Sequence, residues 1–194
     1  MTIILHTPRL VLLPMTLPMV EAVMSGRREE AEAIAGARLP GTWPGRTLIE
    51  RAFTASLDEI RVDPARRLWG DRLMITREGE PRVAGSVVFH GEPGDDGIAE
   101  VAYGVEERSQ GCGYATEATE ASVRWALAQP GVHVVRATTL PWHRASLRVL
   151  EKLGMARCGT REHDVLGELL VFEIRRPPAR EAGEKDAGEG ARNG

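Results

Sequence analysis

Two glycines flank a cysteine at Gly111-Cys112-Gly113, after a β-rich segment that ends at Val105 and before a segment with helical periodicity. That order puts a glycine loop at the start of a helix. Glycine adopts φ > 0 and lets a backbone approach a ligand closely. The free N–H groups of a first helical turn, with the positive end of the helix dipole, attract anions. A diphosphate suits such a site, although an ordinary tight turn uses the same residues. Two nucleotide-binding patterns fit poorly. No Gly-x-x-x-x-Gly-Lys-Ser/Thr occurs. Gly111-Cys112-Gly113 also lacks the third glycine that a dinucleotide-binding fold places beyond Tyr114-Ala115.

Other reactive side chains are scattered. The histidines at 6, 90, 133, 143 and 163 show no metal-ligand spacing, so no metal is expected. Cys112 and Cys158 are too few for a disulfide framework, which fits a reducing cytoplasm. The net charge of −3 gives no global pull toward nucleic acid or an anionic membrane. No apolar run approaches the ~20 residues of a membrane span, and the first residues read as a strand rather than a signal peptide.

The elements that must position the loop come in two kinds. Arg9 to Pro14 reads as a strand. Leu17 to about Ala35 reads as two short helices broken near Ser25-Gly26. Leu39 to Gly45 is a loop, and Thr47 with Glu50 forms a capping box for a helix that Pro64 ends. Leu73–Thr76, Val83–Phe89 and Ala99–Val105 then form an antiparallel meander. Beyond Gly113 the pattern alternates. Ala115, Ala118, Ser122, Trp125 and Ala126 share a helix face that Pro130 closes, and Val132 to Thr138 is a strand. Ser146, Val149, Leu150 and Leu153 share a second helix face, with Gly154 as its terminator. Strands near 155–161 and 169–174 follow. Residues 177–194, rich in Pro, Gly, Ala and charge, read as a disordered tail to a single domain over 1–176. Antiparallel strands followed by strand–helix alternation predict an α+β domain with one mixed sheet.

The loop resembles the phosphate motif Gln/Arg-x-x-Gly-x-Gly/Ala of the GCN5-related N-acetyltransferase (GNAT) superfamily, in Gln110-Gly111-Cys112-Gly113-Tyr114-Ala115 followed by Thr116-Glu117-Ala118. Two further blocks agree. Pro141 to Met155 resembles the family's Asn-x-x-Ser segment and its Leu-Glu-Lys-Leu-Gly-Phe run, and Thr7 to Leu12 resembles the opening strand of the branch that acetylates ribosomal-protein N-termini. The resemblance covers roughly residues 7 to 175 in order. It departs at three places: His143 replaces the asparagine, Leu150 stands where many members carry a tyrosine acid, and Met155 replaces the phenylalanine.

The resemblance implies a mostly antiparallel sheet with helices on both faces and acetyl-coenzyme A as the acyl donor. It also implies direct attack by an amine, from either a protein N-terminus or a small molecule. Backbone groups near Tyr103, Gly104 and Val105 would hold the pantetheine and polarise the thioester carbonyl. The N–H groups of Gln110, Gly111, Cys112, Gly113, Tyr114, Ala115 and Thr116 would hold the diphosphate, with His143 and Ser146 beside the cofactor. Glu100 is the candidate base, and Ser146 the candidate donor to the leaving thiolate. Cys112 has no catalytic part in this scheme. His90, His163, Asp164 and the acidic loop from Glu92 to Asp96 are further candidates for contact with the acceptor, as are Trp43 and Trp69 for walls of its cleft. A homodimer is compatible with the family. A non-catalytic acetyl-coenzyme A sensor or scaffold is the alternative, motivated by the absent tyrosine and by His143.

Overall fold

The computed structural model describes residues 3–41 and 57–177. Eight strands form one sheet: β1 (Leu5–His6), β2 (Leu10–Pro14), β3 (Arg72–Thr76), β4 (Val83–Phe89), β5 (Ile98–Val105), β6 (Val134–Thr139), β7 (Ala156–His163) and β8 (Gly167–Arg175). Their spatial order is β1-β2-β3-β4-β5-β6-β8-β7. Every neighbouring pair is antiparallel except β5 and β6, which are parallel.

Helices lie on both faces of the sheet, although every residue of β7 is exposed, and the strand period of two decides which residue meets which helix. Leu10, Leu12 and Met74 face a core shared with α5 (Tyr114–Ala128) and α6 (Arg144–Lys152). The alternate residues Leu73 and Ile75 face α1 (Leu17–Met24) and α2 (Arg28–Ala35) on the other side. A small cluster of Val20, Ile60 and Leu68 adds α3 (Leu57–Val62) and α4 (Pro64–Arg67). This is the α+β arrangement expected, with a mostly antiparallel sheet between two layers of helix.

Local signals account for the helix ends. Thr16 caps α1 by accepting from the Met19 N–H, and Pro18 sits in the first turn, where a missing N–H costs nothing. Gly154 ends α6 in the left-handed conformation at φ 69°. The helix expected to end at Pro64 does end just before it, at Val62, and Pro64 also opens α4, where Asp63 accepts from the Arg66 N–H at 3.0 Å and caps the new turn. A 3₁₀ turn at Glu107–Ser109 also precedes the glycine loop, held by the Glu106 carboxylate. Thr47, Glu50, Trp43 and the residues from 178 onward lie outside the described residues. Among those that are described, no helix is long and apolar enough to cross a membrane.

One feature of the sheet prepares the site. β5 and β6 pair only at Ile98–Val134, Ala99–Val135 and Glu100–Arg136, while β5 runs on to Val105 and β6 to Thr139. Beyond Glu100 the strands part. On the other edge β5 stays tightly bound to β4. A Cβ at Gly85 would lie 2.2 Å from the Gly104 carbonyl oxygen, so only glycine permits that approach.

Candidate active site

A cavity of about 390 Å³ opens where β5 and β6 part. Its walls come from the end of β5, the glycine loop, the first turn of α5 and one face of α6. The His90 N–H donates to the Glu100 carbonyl, and the Glu106 N–H donates to Ala84, so even-numbered residues of β5 direct their backbone groups to β4. By alternation, the backbone groups of Tyr103 and Val105 face the gap. These are the groups that an extended ligand could meet. The Gln110 side-chain amide already donates to the Val105 carbonyl at 3.2 Å, tying the loop to the strand end.

The loop leaves backbone donors without intrahelical partners. Gly111 at φ 75° and Gly113 at φ 82° are both left-handed, which turns successive N–H groups toward one side. Gly113 is the N-cap of α5 and supplies no side-chain hydrogen bond. The first helical bond comes from the Glu117 N–H to the Gly113 carbonyl, so the N–H groups of Tyr114, Ala115 and Thr116 precede the ladder. All three residues line the cavity, as do Gln110, Gly111 and Gly113. Cys112 does not line it: its carbonyl is turned to Arg9 and its thiol is exposed.

Two hydroxyls meet at the inner wall. Tyr103 Oη lies 3.0 Å from Ser146 Oγ and 3.2 Å from the Ser146 carbonyl oxygen. Burial pushes the Tyr103 phenol above its usual value and the Ser146 hydrogen bond opposes this, so the ring stays protonated at neutral pH. His143, the N-cap of α6, lines the cavity without a side-chain cap bond. Leu150 is fully buried in the core, and the cavity is lined instead by its neighbour Val149.

Glu100 lies elsewhere. Ala99 and Val101 face the α5 side, so Glu100 projects from the opposite face of the sheet. Its carboxylate accepts from Arg161 at 2.8 and 3.2 Å and from the Thr138 hydroxyl at 3.3 Å, with His90 Nδ1 at 3.9 Å. Burial alone would raise its pKa. The Arg161 bonds, the nearby His90 and the Thr138 hydroxyl outweigh that and hold it below the ordinary carboxylate value. The carboxylate is a held anion with weak proton affinity. His90 shares a shallow depression with Asp58, Glu59, Asp63 and Glu92, where Arg66 and Arg67 also stand. His163 accepts from the N–H groups of Val165 and Leu166 and so organises the β7–β8 turn that contains Asp164. Trp69 packs edge-on against Phe89 at 5.0 Å and against Trp125 at 4.8 Å, which makes it a core residue rather than a cleft wall.

Two residues were missed by sequence reasoning. Arg148 and Lys152, one helical turn apart on α6, line the cavity and face the loop across it. The signal lay in the helical period, which puts both cations on the face of Ala145 and Val149.

Comparison with known proteins agrees with this geometry. Residues 9–156 match the family described as Acetyltransferase (GNAT) domain. Over 152 residues the chain is 26% identical to the "Uncharacterized N-acetyltransferase YjdG" of Bacillus subtilis (strain 168), covering 78% of this chain and 89% of that one. The fold resembles ribosomal-protein-S5-alanine acetyltransferase from Vibrio fischeri, with a TM-score of 0.62 at 13% identity over 91% of this chain and 98% of that one. It also resembles the microcin C7 self-immunity acetyltransferase MccE, solved with acetyl-CoA and AMP, with a TM-score of 0.58 at 11% identity over 87% and 93% of the two chains. Since the family match spans the glycine loop, both flanking helices and the sheet from β2 to β6, the chain belongs to the GNAT acetyltransferase family and is an acetyl-CoA-dependent acyltransferase.

Proposed function

We propose that this protein transfers the acetyl group of acetyl-CoA to a primary amine by direct attack within a ternary complex. The observation that carries the reading is the meeting, in one cavity, of an uncapped helix start with two left-handed glycines and the Tyr103–Ser146 hydroxyl pair. The loop and first turn of α5 hold the diphosphate, and the pantetheine lies along the freed edge of β5. The Tyr103 N–H, which faces the gap, polarises the thioester carbonyl as an oxyanion donor does.

The neutral amine attacks the carbonyl carbon, an N–C bond forms, and the C–S bond breaks. The thiolate takes a proton from Ser146 Oγ. Tyr103, kept protonated by burial and 3.0 Å away, returns a proton to that oxygen so that Ser146 does not remain an alkoxide; the attacking nitrogen loses its proton to solvent, and solvent restores Tyr103. Hydroxyl chemistry of this kind contributes roughly 10²–10⁴-fold in rate. Glu100 acts on the acceptor side. Its low basicity and its Arg161 partner suit a hydrogen-bond acceptor that orients the acceptor amine, and the amine's proton goes to solvent. A protein N-terminus and a small amine both meet these requirements, and the likeness to a ribosomal-protein acetyltransferase favours testing N-terminal peptides first.

The experiment is a calorimetric titration of the purified protein with acetyl-CoA, then an amine screen that follows free thiol release. Binding with release on at least one amine supports the proposal. Binding with no release on any amine would leave a sensor or scaffold, and no binding by folded protein would remove the cofactor site.

A further inference from the structure

The glycine loop is fastened from outside the cavity by a residue pair that the mechanism above does not use. Glu117, in the first turn of α5, is bound on both carboxylate oxygens. Oε1 accepts from the Thr7 hydroxyl at 2.6 Å and from the Arg9 backbone N–H at 2.9 Å, and Oε2 accepts from Arg9 Nε at 2.7 Å and Nη2 at 2.6 Å. The same guanidinium donates through Nη1 to the Cys112 carbonyl at 2.8 Å. It also lies 5.0 Å from the centre of the Tyr114 ring, and its Nη2 is 3.4 Å from where a Cβ on Gly113 would be. One side chain therefore bonds Cys112, stacks on Tyr114 and lies beside Gly113 between them, the three residues that form the turn into the helix. Arg9 is fixed in its turn, since its carbonyl accepts from the Arg77 N–H at 3.0 Å.

Two physical consequences follow. With its carbonyl drawn outward to Arg9, Cys112 has its peptide dipole fixed, and the N–H of the next residue points the other way, toward the cavity. Glu117 would also set a negative charge within one turn of the diphosphate, at the helix end where anions are attracted. A guanidinium with two N–H groups on one carboxylate oxygen cancels that charge locally and keeps the helix start attractive to phosphate.

We propose that Arg9 and Glu117 are positioning residues for the donor's diphosphate: they hold the Cys112–Tyr114 backbone in the shape that presents its N–H groups to the anion. This rests on the acetyl-CoA reading above. The clamp touches only the phosphate end of the site, so it acts on donors that carry phosphate and not on the acyl chemistry at Tyr103 and Ser146.

The test uses full-length wild type, Arg9→Ala, Arg9→Lys and the control Arg124→Ala, which breaks an exposed ion pair elsewhere on α5. Calorimetry gives Kd for acetyl-CoA. Acetyl-pantetheine, which lacks the diphosphate, is then titrated as a competitor. Arg9→Ala is expected to weaken acetyl-CoA about ten-fold, equivalent to roughly 1.4 kcal/mol, and to leave the acetyl-pantetheine inhibition constant unchanged. Arg9→Lys keeps the charge without the fork and falls between wild type and Arg9→Ala. Arg124→Ala stays within about two-fold of wild type. Acetyl-CoA affinity unmoved in Arg9→Ala, or equal losses for both donors, overturns the clamp. If thermal melting shows that Arg9→Ala does not fold, Arg9→Lys decides by the same ratio of the two donors. Absence of acetyl-CoA binding by wild type removes the underlying reading as well, whereas normal wild-type binding with an indifferent Arg9 removes the clamp alone.

Discussion

On the α5 side of β5, Tyr103 and Ser146 meet hydroxyl to hydroxyl beside a helix start that no side chain caps. On the other side, Glu100 accepts from donors on two further strands, Thr138 on β6 and Arg161 on β7, with His90, just past β4, 3.9 Å away. The first region leaves backbone donors exposed to its cavity, and the second has already satisfied its charge. A site awaiting a highly charged ligand gains from unspent N–H groups, because the anion supplies the missing acceptors and displaces only water. A residue that must stay ionised gains from partners already in place, because they lower its pKa against the cost of burial. The two faces thus differ in kind: open backbone donors and a hydroxyl pair on one, and a carboxylate whose charge Arg161 already balances on the other.

The most damaging change should be Gly113→Asp. At φ 82° any side chain is strained, and this one adds a carboxylate to the anion site. Acetyl-CoA affinity is expected to fall by more than about 100-fold, roughly 2.7 kcal/mol, as read by calorimetry on protein shown to be folded. Retention of affinity would show that the loop is an ordinary turn and would end the contrast between the two faces.

Next come the hydroxyls. Ser146→Ala should lower kcat by roughly 100-fold and Tyr103→Phe by roughly ten-fold, each with KM for acetyl-CoA nearly unchanged. Steady-state thiol release measures both. A loss in KM rather than kcat would make the pair a structural contact of the cavity wall.

Glu100 gives a sharper discrimination through pH. If it were the proton acceptor, Glu100→Gln would lose the full ~10²–10⁴-fold of a general base. As a held anion, its loss should lower kcat/KM by about ten-fold or less and leave the pH profile above neutrality unchanged in shape, because that limb belongs to the acceptor amine. Stability carries the matching sign. A carboxylate whose folded pKa is depressed contributes fully above its unfolded value of about 4.5, and the contribution is lost as pH falls from there through the lower folded value. Wild type should therefore lose more stability than Glu100→Gln between pH 5 and the acid limit, by thermal melting.

The same contrast explains what was legible in the residues. The glycine loop is local: two glycines, a strand before and a helix after can be read from one short window, and its fold context followed from strand and helix periods. Glu100 could be found as a strand residue, but its partners at 90, 138 and 161 are distant in sequence and met only when β5, β6, β7 and β4 were assembled. Tyr103 likewise entered through its backbone, and its hydroxyl contact with Ser146 became visible only once α6 was docked. Pro64 ends one helix as its type implies, whereas the short helix it begins becomes visible only with Asp63 capping the turn. Arg148 and Lys152 share a helical face with Ala145 and Val149, but nothing local separates them from other surface cations until α6 packs beside the glycine loop.

Those two cations supply the smallest expected effect. Both are exposed, so water and salt screen them, and a surface charge pair is worth up to about 1 kcal/mol. Lys152→Ala should weaken acetyl-CoA about three-fold at low salt, roughly 0.7 kcal/mol, and Arg148→Ala by a similar amount. The more informative readout is the slope of log Kd against log salt concentration, which should become shallower in each variant as one fewer cation meets the phosphates. The backbone N–H groups carry no net charge and contribute little to that slope. A variant that weakens binding without changing the slope would mean that α6 shapes the cavity through packing. A shallower slope would mean that the anion site has two components, a fixed cradle of N–H groups from the loop and a screened pair of charges facing it across the cavity.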